Sequence, residues 1–168
     1  MRKPRVRIDK ALRLMSPAPS EGQLAQLAKK ASYQGSPKHK GNPPQFGLPL
    51  YNQPRSDETL CDKHAGFGPS DLQYVRSWLE RGIKAGLVGD SWESEAPRVL
   101  WAVGDNGWIF EGRITNSTQF QYHGYPVLPD KPIARMVYDR FRDWVERHPK
   151  KRNQDALAKC EGLYGFKK

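Results

Sequence analysis

Apolar and polar residues alternate along two neighbouring stretches of the chain, 108–115 and 119–125. Successive side chains of a β-strand point to opposite faces, so this period of two predicts a pair of strands. A third strand is predicted over 98–103, just before the turn sequence Gly104-Asp-Asn-Gly107. The three strands are expected to pair in antiparallel fashion through short turns.

Helical periodicity brackets these strands. Ser20 and Gln23 form a capping-box pattern at the start of one helix, and a short helix is predicted before it over 6–15. A longer apolar stripe at helical spacing covers 70–86, and Pro132 is well placed as the first residue of another helix. The order predicts an α+β fold, with an antiparallel sheet of three or slightly more strands packed against flanking helices.

Composition divides the chain into four regions. Residues 1–32 are expected to form a helical N-terminal extension, and 33–69 a long irregular arm rich in proline and glycine. The α+β core is assigned to 70–148, because all five tryptophans fall within it. The remaining residues, 149–168, are expected to form a mobile basic tail. The first half of the chain would then consist mainly of segments appended to the core or of a surface that binds a partner.

The charge balance narrows the choice of partner. The chain has 28 Lys and Arg against 18 Asp and Glu, a formal net charge of +10. Such a surplus favours polyanions through counterion release and therefore predicts RNA or another nucleic acid as the partner. No apolar run of about 18 residues and no secretory leader pattern is present, so membrane partners are disfavoured. Two widely separated cysteines do not suggest a disulfide framework, and a cytoplasmic location is expected.

The predicted hairpin places three chemically useful side chains on one sheet face. With 116–118 as the loop, Glu111 is expected directly opposite His123, and Arg113 shares their face. Cleavage of RNA without metal or cofactor needs a base, an acid, and a cation for the charge on the phosphorane. Glu111 and His123 could supply base and acid in either order, and Arg113 or Arg98 the cation. An ordinary polar ladder on an exposed sheet face has the same pattern.

Further residues are candidates for binding nucleic acid rather than for catalysis. The segment 35–40 combines a flexible turn with cationic and imidazole groups that could hold a phosphate, although a solvated basic loop is the alternative. A tyrosine beside Gly124 could stack on a base. The candidate contacts are Arg98, Ser36, Lys38, His39, Lys40, Tyr125, Lys150, Lys151 and Arg152.

Cys61 and His64 have the spacing of half a metal site. Zinc needs four ligands, and no second closely spaced pair of ligands follows in the sequence. A buried cysteine and a surface histidine explain the pattern more simply, so no metal site is predicted. Whether this pair binds a metal stays open at this point.

Residues 92–125 resemble the catalytic half of small bacterial ribonucleases of the barnase–colicin–RelE type. Those enzymes place Glu, Arg and His on an antiparallel sheet packed against helices, and the similar positions here are Glu111, Arg113 and His123. The whole chain also resembles a set of small, basic, uncharacterised bacterial proteins with Ser-Pro-Lys-His and Tyr-His-Gly-Tyr-Pro segments, which here begin at Ser36 and Tyr122.

Three hypotheses follow. The favoured one is an intracellular, metal-independent ribonuclease without a cofactor, acting as a toxin or antiphage effector. The alternative is a non-catalytic nucleic-acid-binding or accessory subunit, partnered by an antitoxin or a defence protein. An inhibitor or immunity protein ranks last, because proteins that neutralise basic nucleases usually have acidic surfaces. The sequence leaves open whether the chain is an enzyme.

Overall fold

The computed structural model describes residues 13–166, and within that range the chain forms helices, strands and short 3₁₀ turns. The α-helices are α1 (Glu21–Lys30), α2 (Cys61–His64), α3 (Leu72–Lys84), α4 (Pro132–Arg147) and α5 (Lys151–Tyr164). The strands are β1 (Ser32–Tyr33), β2 (Trp92–Glu93), β3 (Ala96–Pro97), β4 (Val99–Val103), β5 (Ile109–Asn116) and β6 (Gln121–Pro126). The fold is therefore α+β, as the hydrophobic pattern predicts.

The main sheet of the described region has four strands in the order β1–β6–β5–β4. β4, β5 and β6 are antiparallel neighbours, which confirms the predicted three-stranded sheet, and β1 adds to β6 in parallel. β2 and β3 form a separate two-stranded hairpin. Because β1 is only two residues long, most of the outer edge of β6 is left for another part of the chain to cover.

Helices cover both faces of the sheet. Trp101 is fully buried among apolar side chains from α4 and α5, including Phe141. Leu100 points the opposite way and packs with Ile83 of α3 and with residues of α1. A Cβ atom placed on Gly82 would lie 2.2 Å from the carbonyl oxygen of Trp101. Glycine is therefore required where α3 crosses β4.

The C-terminal region is not the mobile basic tail expected from its charge. Residues 151–164 form helix α5, which packs against α4 and β4. Its last residue, Tyr164, accepts a hydrogen bond from the backbone N–H of Ile109 at 2.9 Å and donates one to the carbonyl of Val127 at 2.6 Å. The basic residues lie on the solvent side of this helix, and its apolar side completes the core.

The N-terminal prediction is only partly covered by the structure. The helix expected over 6–15 lies mostly outside the described residues, and the described part, 13–15, is not helical: Leu14 bridges to Gly89 instead. The capping box of Ser20 is present at the start of α1, as predicted. Across the described residues, no helix is both long enough and apolar enough to cross a membrane.

Candidate active site

The hairpin of β5 and β6 forms with a register that differs by two residues from the predicted one. Arg113 lies opposite His123, and Glu111 lies opposite Tyr125 rather than opposite His123. The turn between the strands takes four residues, Ser117–Phe120, and a bulge precedes it. A two-residue offset leaves each side chain on its original face, so Glu111 and His123 are still on one face, as diagonal neighbours roughly 7–8 Å apart.

Arg113 joins the other polar groups of this face. Its Nε donates to Glu111 Oε2 at 3.1 Å and to the hydroxyl oxygen of Tyr125 at 3.0 Å. The Arg113 side chain is about two-fifths exposed, whereas the carboxylate of Glu111 is almost completely buried. The guanidinium therefore has one edge fixed by the protein and another open to an anion from solution.

Glu111 is a carboxylate in an unusually apolar place. The residue is 3% exposed and lies opposite Trp101 in the sheet. Burial raises its pKa, and the ion pair with Arg113 opposes that shift only in part. A carboxyl group in this condition holds a proton to higher pH than an ordinary glutamate does, which suits a general acid.

His123 has one ring nitrogen occupied and the other free for chemistry. Its Nδ1 and the hydroxyl oxygen of Thr115 are 2.7 Å apart, so Thr115 orients the ring. Burial lowers the pKa of His123, and the nearby charges of Arg113 and Lys38 lower it further. The imidazole therefore stays neutral to lower pH than an ordinary histidine does, and its Nε2 is the nitrogen left for proton transfer.

The arm brings a second histidine to the same place. His39 stacks on His123 with ring centroids 5.4 Å apart and an angle of 6° between the rings, and its ring lies 4.9 Å from that of Tyr125. Burial, the proximity of His123 and the charges of Lys40 and Lys38 lower the pKa of His39 to about 4, so the two stacked rings are not both cations. His39 Nδ1 is buried and has no hydrogen-bond partner.

The arm is fixed in this position by its own polar contacts. Asp62 accepts hydrogen bonds from the backbone N–H groups of Gly41 at 2.6 Å and Asn42 at 2.8 Å. Arg55 Nη1 donates to the carbonyl of Pro37 at 2.9 Å, in the short 3₁₀ turn that carries His39. The predicted irregular arm is thus an ordered segment along the outer edge of β6.

The members of the predicted phosphate loop have different environments. Lys38 is exposed beside the histidines, and Ser36 is half-buried at the start of the turn. Lys40 is 1% exposed, with its Nζ 5.3 Å from the ring of Phe46 and 5.1 Å from that of Phe67. Lys40 therefore anchors the arm through cation–π contacts and is too buried to serve as the surface phosphate ligand that was predicted.

The other predicted basic contacts lie away from this face. Arg98 is exposed, and its carbonyl accepts a hydrogen bond from the backbone N–H of Ile114. Arg98 therefore lies beside Ile114 in the sheet. Because neighbouring residues of a strand point to opposite faces, the side chains of Arg98 and Arg113 lie on opposite faces. Arg152 makes a bidentate ion pair with Asp105, at distances of 2.8–3.1 Å. The last two, Lys150 and Lys151, are exposed at the start of α5.

Cys61 and His64 do not point to a common site. Cys61 is buried and its Sγ donates to the carbonyl of Gly124 at 3.5 Å. His64 Nε2 instead lies 2.8 Å from the carbonyl oxygen of Asp57. No group of three or more His, Cys, Asp and Glu side chains within residues 13–166 is arranged to hold a metal ion.

Two residues of the site were not identified as catalytic from the sequence. Thr115 follows from the alternation along β5, because it shares the face of Arg113. His39 gives no such signal. Its contact with His123 joins residues more than eighty positions apart in the sequence, and it depends on the path that the irregular arm takes through the fold.

Comparison with protein-family models, curated proteins and solved structures gives no significant match. The resemblance of residues 92–125 to small ribonucleases therefore stays a prediction, and the function has to be inferred from the geometry of the site.

Proposed function

We propose that this chain is a metal-independent ribonuclease, acting on RNA as a toxin or antiphage effector. The observation that carries the proposal is the meeting of two separate sequence features in one place. The arm places His39 on His123, next to the ion pair of Arg113 and Glu111. Imidazole, carboxyl and guanidinium groups can supply the base, the acid and the positive charge used in phosphodiester cleavage by the neighbouring 2′-hydroxyl.

The directions of the pKa shifts support one role for each group. His123, kept neutral by its lowered pKa, takes the proton of the 2′-hydroxyl at Nε2. The 2′-oxygen forms a bond to phosphorus while the bond from phosphorus to the 5′-oxygen breaks. Glu111, whose raised pKa favours the acid form, gives its proton to the leaving 5′-oxygen. The products are a 2′,3′-cyclic phosphate and a free 5′-hydroxyl.

Arg113 and Lys38 supply positive charge around the reacting phosphate. The exposed part of the Arg113 guanidinium can bind a phosphate oxygen while Glu111 and Tyr125 hold its Nε. Lys38 is exposed on the arm and lies close enough to lower the pKa of both histidines. His39 acts as a positioning residue, because its stacked ring limits the rotation of His123.

One observation favours the alternative of a non-catalytic nucleic-acid-binding subunit. The carboxylate of Glu111 is buried and already paired, as in an ion pair whose role is to orient Arg113. In that case Arg113 and Lys38 would bind phosphate and no bond would break.

The deciding experiment is incubation of the purified chain with RNA in the presence of EDTA. The proposal predicts discrete cleavage, with 2′,3′-cyclic phosphate and 5′-hydroxyl ends on the fragments. Retention of RNA without cleavage would support the binding subunit. Cleavage that stops in EDTA would contradict a metal-independent mechanism.

The pH dependence of cleavage follows from the two shifted groups. Activity should rise as His123 loses its proton and fall as Glu111 loses its own, so kcat/KM should pass through a maximum in mild acid. We expect the maximum between about 4.5 and 6.5, the ordinary pKa values of a glutamate and a histidine, because the shifts move the two toward each other. A profile from pH 4 to 9 at constant ionic strength measures this. A maximum above pH 8 would contradict the assignment.

The salt dependence of RNA binding should distinguish Lys38 from the basic residues of α5. Lys38→Ala should reduce the slope of log Kd against log salt concentration by about 0.7, the value for one phosphate contact on a single strand. Lys151→Ala is the matched control, because Lys151 is exposed and pairs with Asp155 at 2.7 Å. It should leave the slope unchanged. Equal slopes for Lys38→Ala and the unaltered chain would remove Lys38 from the interface.

A further inference from the structure

A cleft of about 640 Å³ opens next to the ion pair of Glu111 and Arg113, between the arm and the start of α4. Its lining combines two kinds of side chain. Glu111, Arg113 and Tyr125 belong to the candidate active site, and Val127, Ile133 and Met136 are apolar.

We infer that this cleft binds the base of the nucleotide whose phosphate contacts Arg113, an inference that rests on the proposed function. Its volume is within the range of small-molecule sites, roughly 300–1,000 Å³. Met136 lines the cleft and is 45% exposed, whereas Val137, Phe141 and Trp144 of the same helix are buried. The flexible thioether of Met136 and the half-buried ring of Tyr125 both line the cleft, and each offers a base an apolar surface.

The rim of the cleft can read the edge of a base. Lys131 Nζ and Glu58 Oε2 form an ion pair 3.1 Å long at the rim, linking the start of α4 to the arm. Both side chains are well exposed, so the pair can exchange its mutual contact for contacts to a ligand. Every base carries donors and acceptors on its edge, and the pair presents one group of each kind.

The arrangement of charge also fits a nucleotide in one orientation. Arg113 lies where the cleft meets the histidines, so a phosphate bound there would direct its sugar and base toward Met136. The apolar side chains of Val127, Ile133 and Met136 offer no hydrogen bonds to a second phosphate placed among them. A single nucleotide, with its phosphate at the junction and its base within, satisfies both conditions.

Binding of nucleoside 3′-monophosphates to the full chain tests this inference, with inorganic phosphate as the comparison. These compounds have no internucleotide bond, so the measurement is independent of cleavage. We expect a nucleotide to bind at least about tenfold more tightly than phosphate, the gain expected from stacking of one base. Met136→Ala should weaken nucleotide binding several-fold, because it removes roughly half of the surface on which the base stacks. It should not change phosphate binding.

Leu163→Ala is the matched control, because Leu163 is 43% exposed on α5 and does not line the cleft. It should change neither affinity. If RNA is cleaved but nucleotides bind no better than phosphate, the base subsite is wrong and the ribonuclease stands. If nucleotides bind with a Met136-dependent gain but RNA is not cleaved, the cleft binds nucleotides and the proposed function is wrong.

Discussion

Replacing His123 with alanine should lower the rate of RNA cleavage by about 10²–10⁴-fold, the usual contribution of a general base. RNA retention should change little, because His123 is expected to act mainly in the transition state, whereas Arg113 and Lys38 hold the phosphate in the ground state as well. Cleavage of a defined oligonucleotide, followed together with its binding by filter retention, separates the two effects.

His148→Ala serves as the control for this substitution. His148 also stacks on an aromatic ring, with its centroid 4.7 Å from that of Trp144. It follows the C-terminal end of α4, whereas the candidate site lies near the N-terminal end of that helix, at Pro132. The two ends are roughly 24 Å apart along the helix. Its replacement should leave cleavage unchanged. If His123→Ala instead retains full activity, or if it unfolds the chain, then His123 is part of a structural polar ladder.

Replacing Asp105 with alanine should reduce the free energy of unfolding by about 3–5 kcal/mol, the usual result of leaving a buried charge without its partner. Arg81 is 7% exposed, and its Nη1 donates to Asp105 Oδ1 at 3.0 Å. Arg152 binds the same carboxylate from α5, so the substitution also loosens the attachment of that helix.

Urea denaturation followed by tryptophan fluorescence measures this loss. Asp143→Ala is the matched control, because Asp143 pairs with Arg142 on the surface and such pairs contribute at most about 1 kcal/mol. A loss below 1 kcal/mol for Asp105→Ala would mean that Arg81 becomes hydrated without its partner. The pairing of Arg152 with Asp105 gives this residue a contact within the protein, and its predicted contact with phosphate stays a prediction.

The fold could be predicted from the sequence where the pattern is local. The alternation in β5 and β6, the turn sequence after β4 and the proline at the start of α4 each depend on neighbouring residues, and each element is present. The register of the hairpin could not be fixed in this way. The number of residues in the turn depends on the bulge before it, and the sequence does not show that bulge.

For the candidate site, too, the features set by neighbouring residues could be predicted and the others could not. The shared face of Glu111, Arg113 and His123 survived the wrong register, because a two-residue offset preserves the alternation. The burial of Lys40 could not be foreseen, since a lysine in a glycine- and proline-rich loop is ordinarily solvated. The prediction of a mobile tail was wrong for a related reason. It was based on the basic residues of this segment, whereas α5 packs through a narrow buried side that includes Ala156, Cys160 and Tyr164.

The stack of His39 on His123 has a consequence for the timing of biosynthesis. The two rings come from positions 84 residues apart, and the sheet beneath them is covered by a helix made later still. Contacts of such sequence separation close a long loop, and the entropy cost of closing it slows folding. A nascent chain that ends before residue 123 has the basic arm but lacks the ring on which His39 stacks. Under the proposed function, such a chain is expected to have no cleavage activity, and activity is expected only after β6 and the helices that follow it have been made.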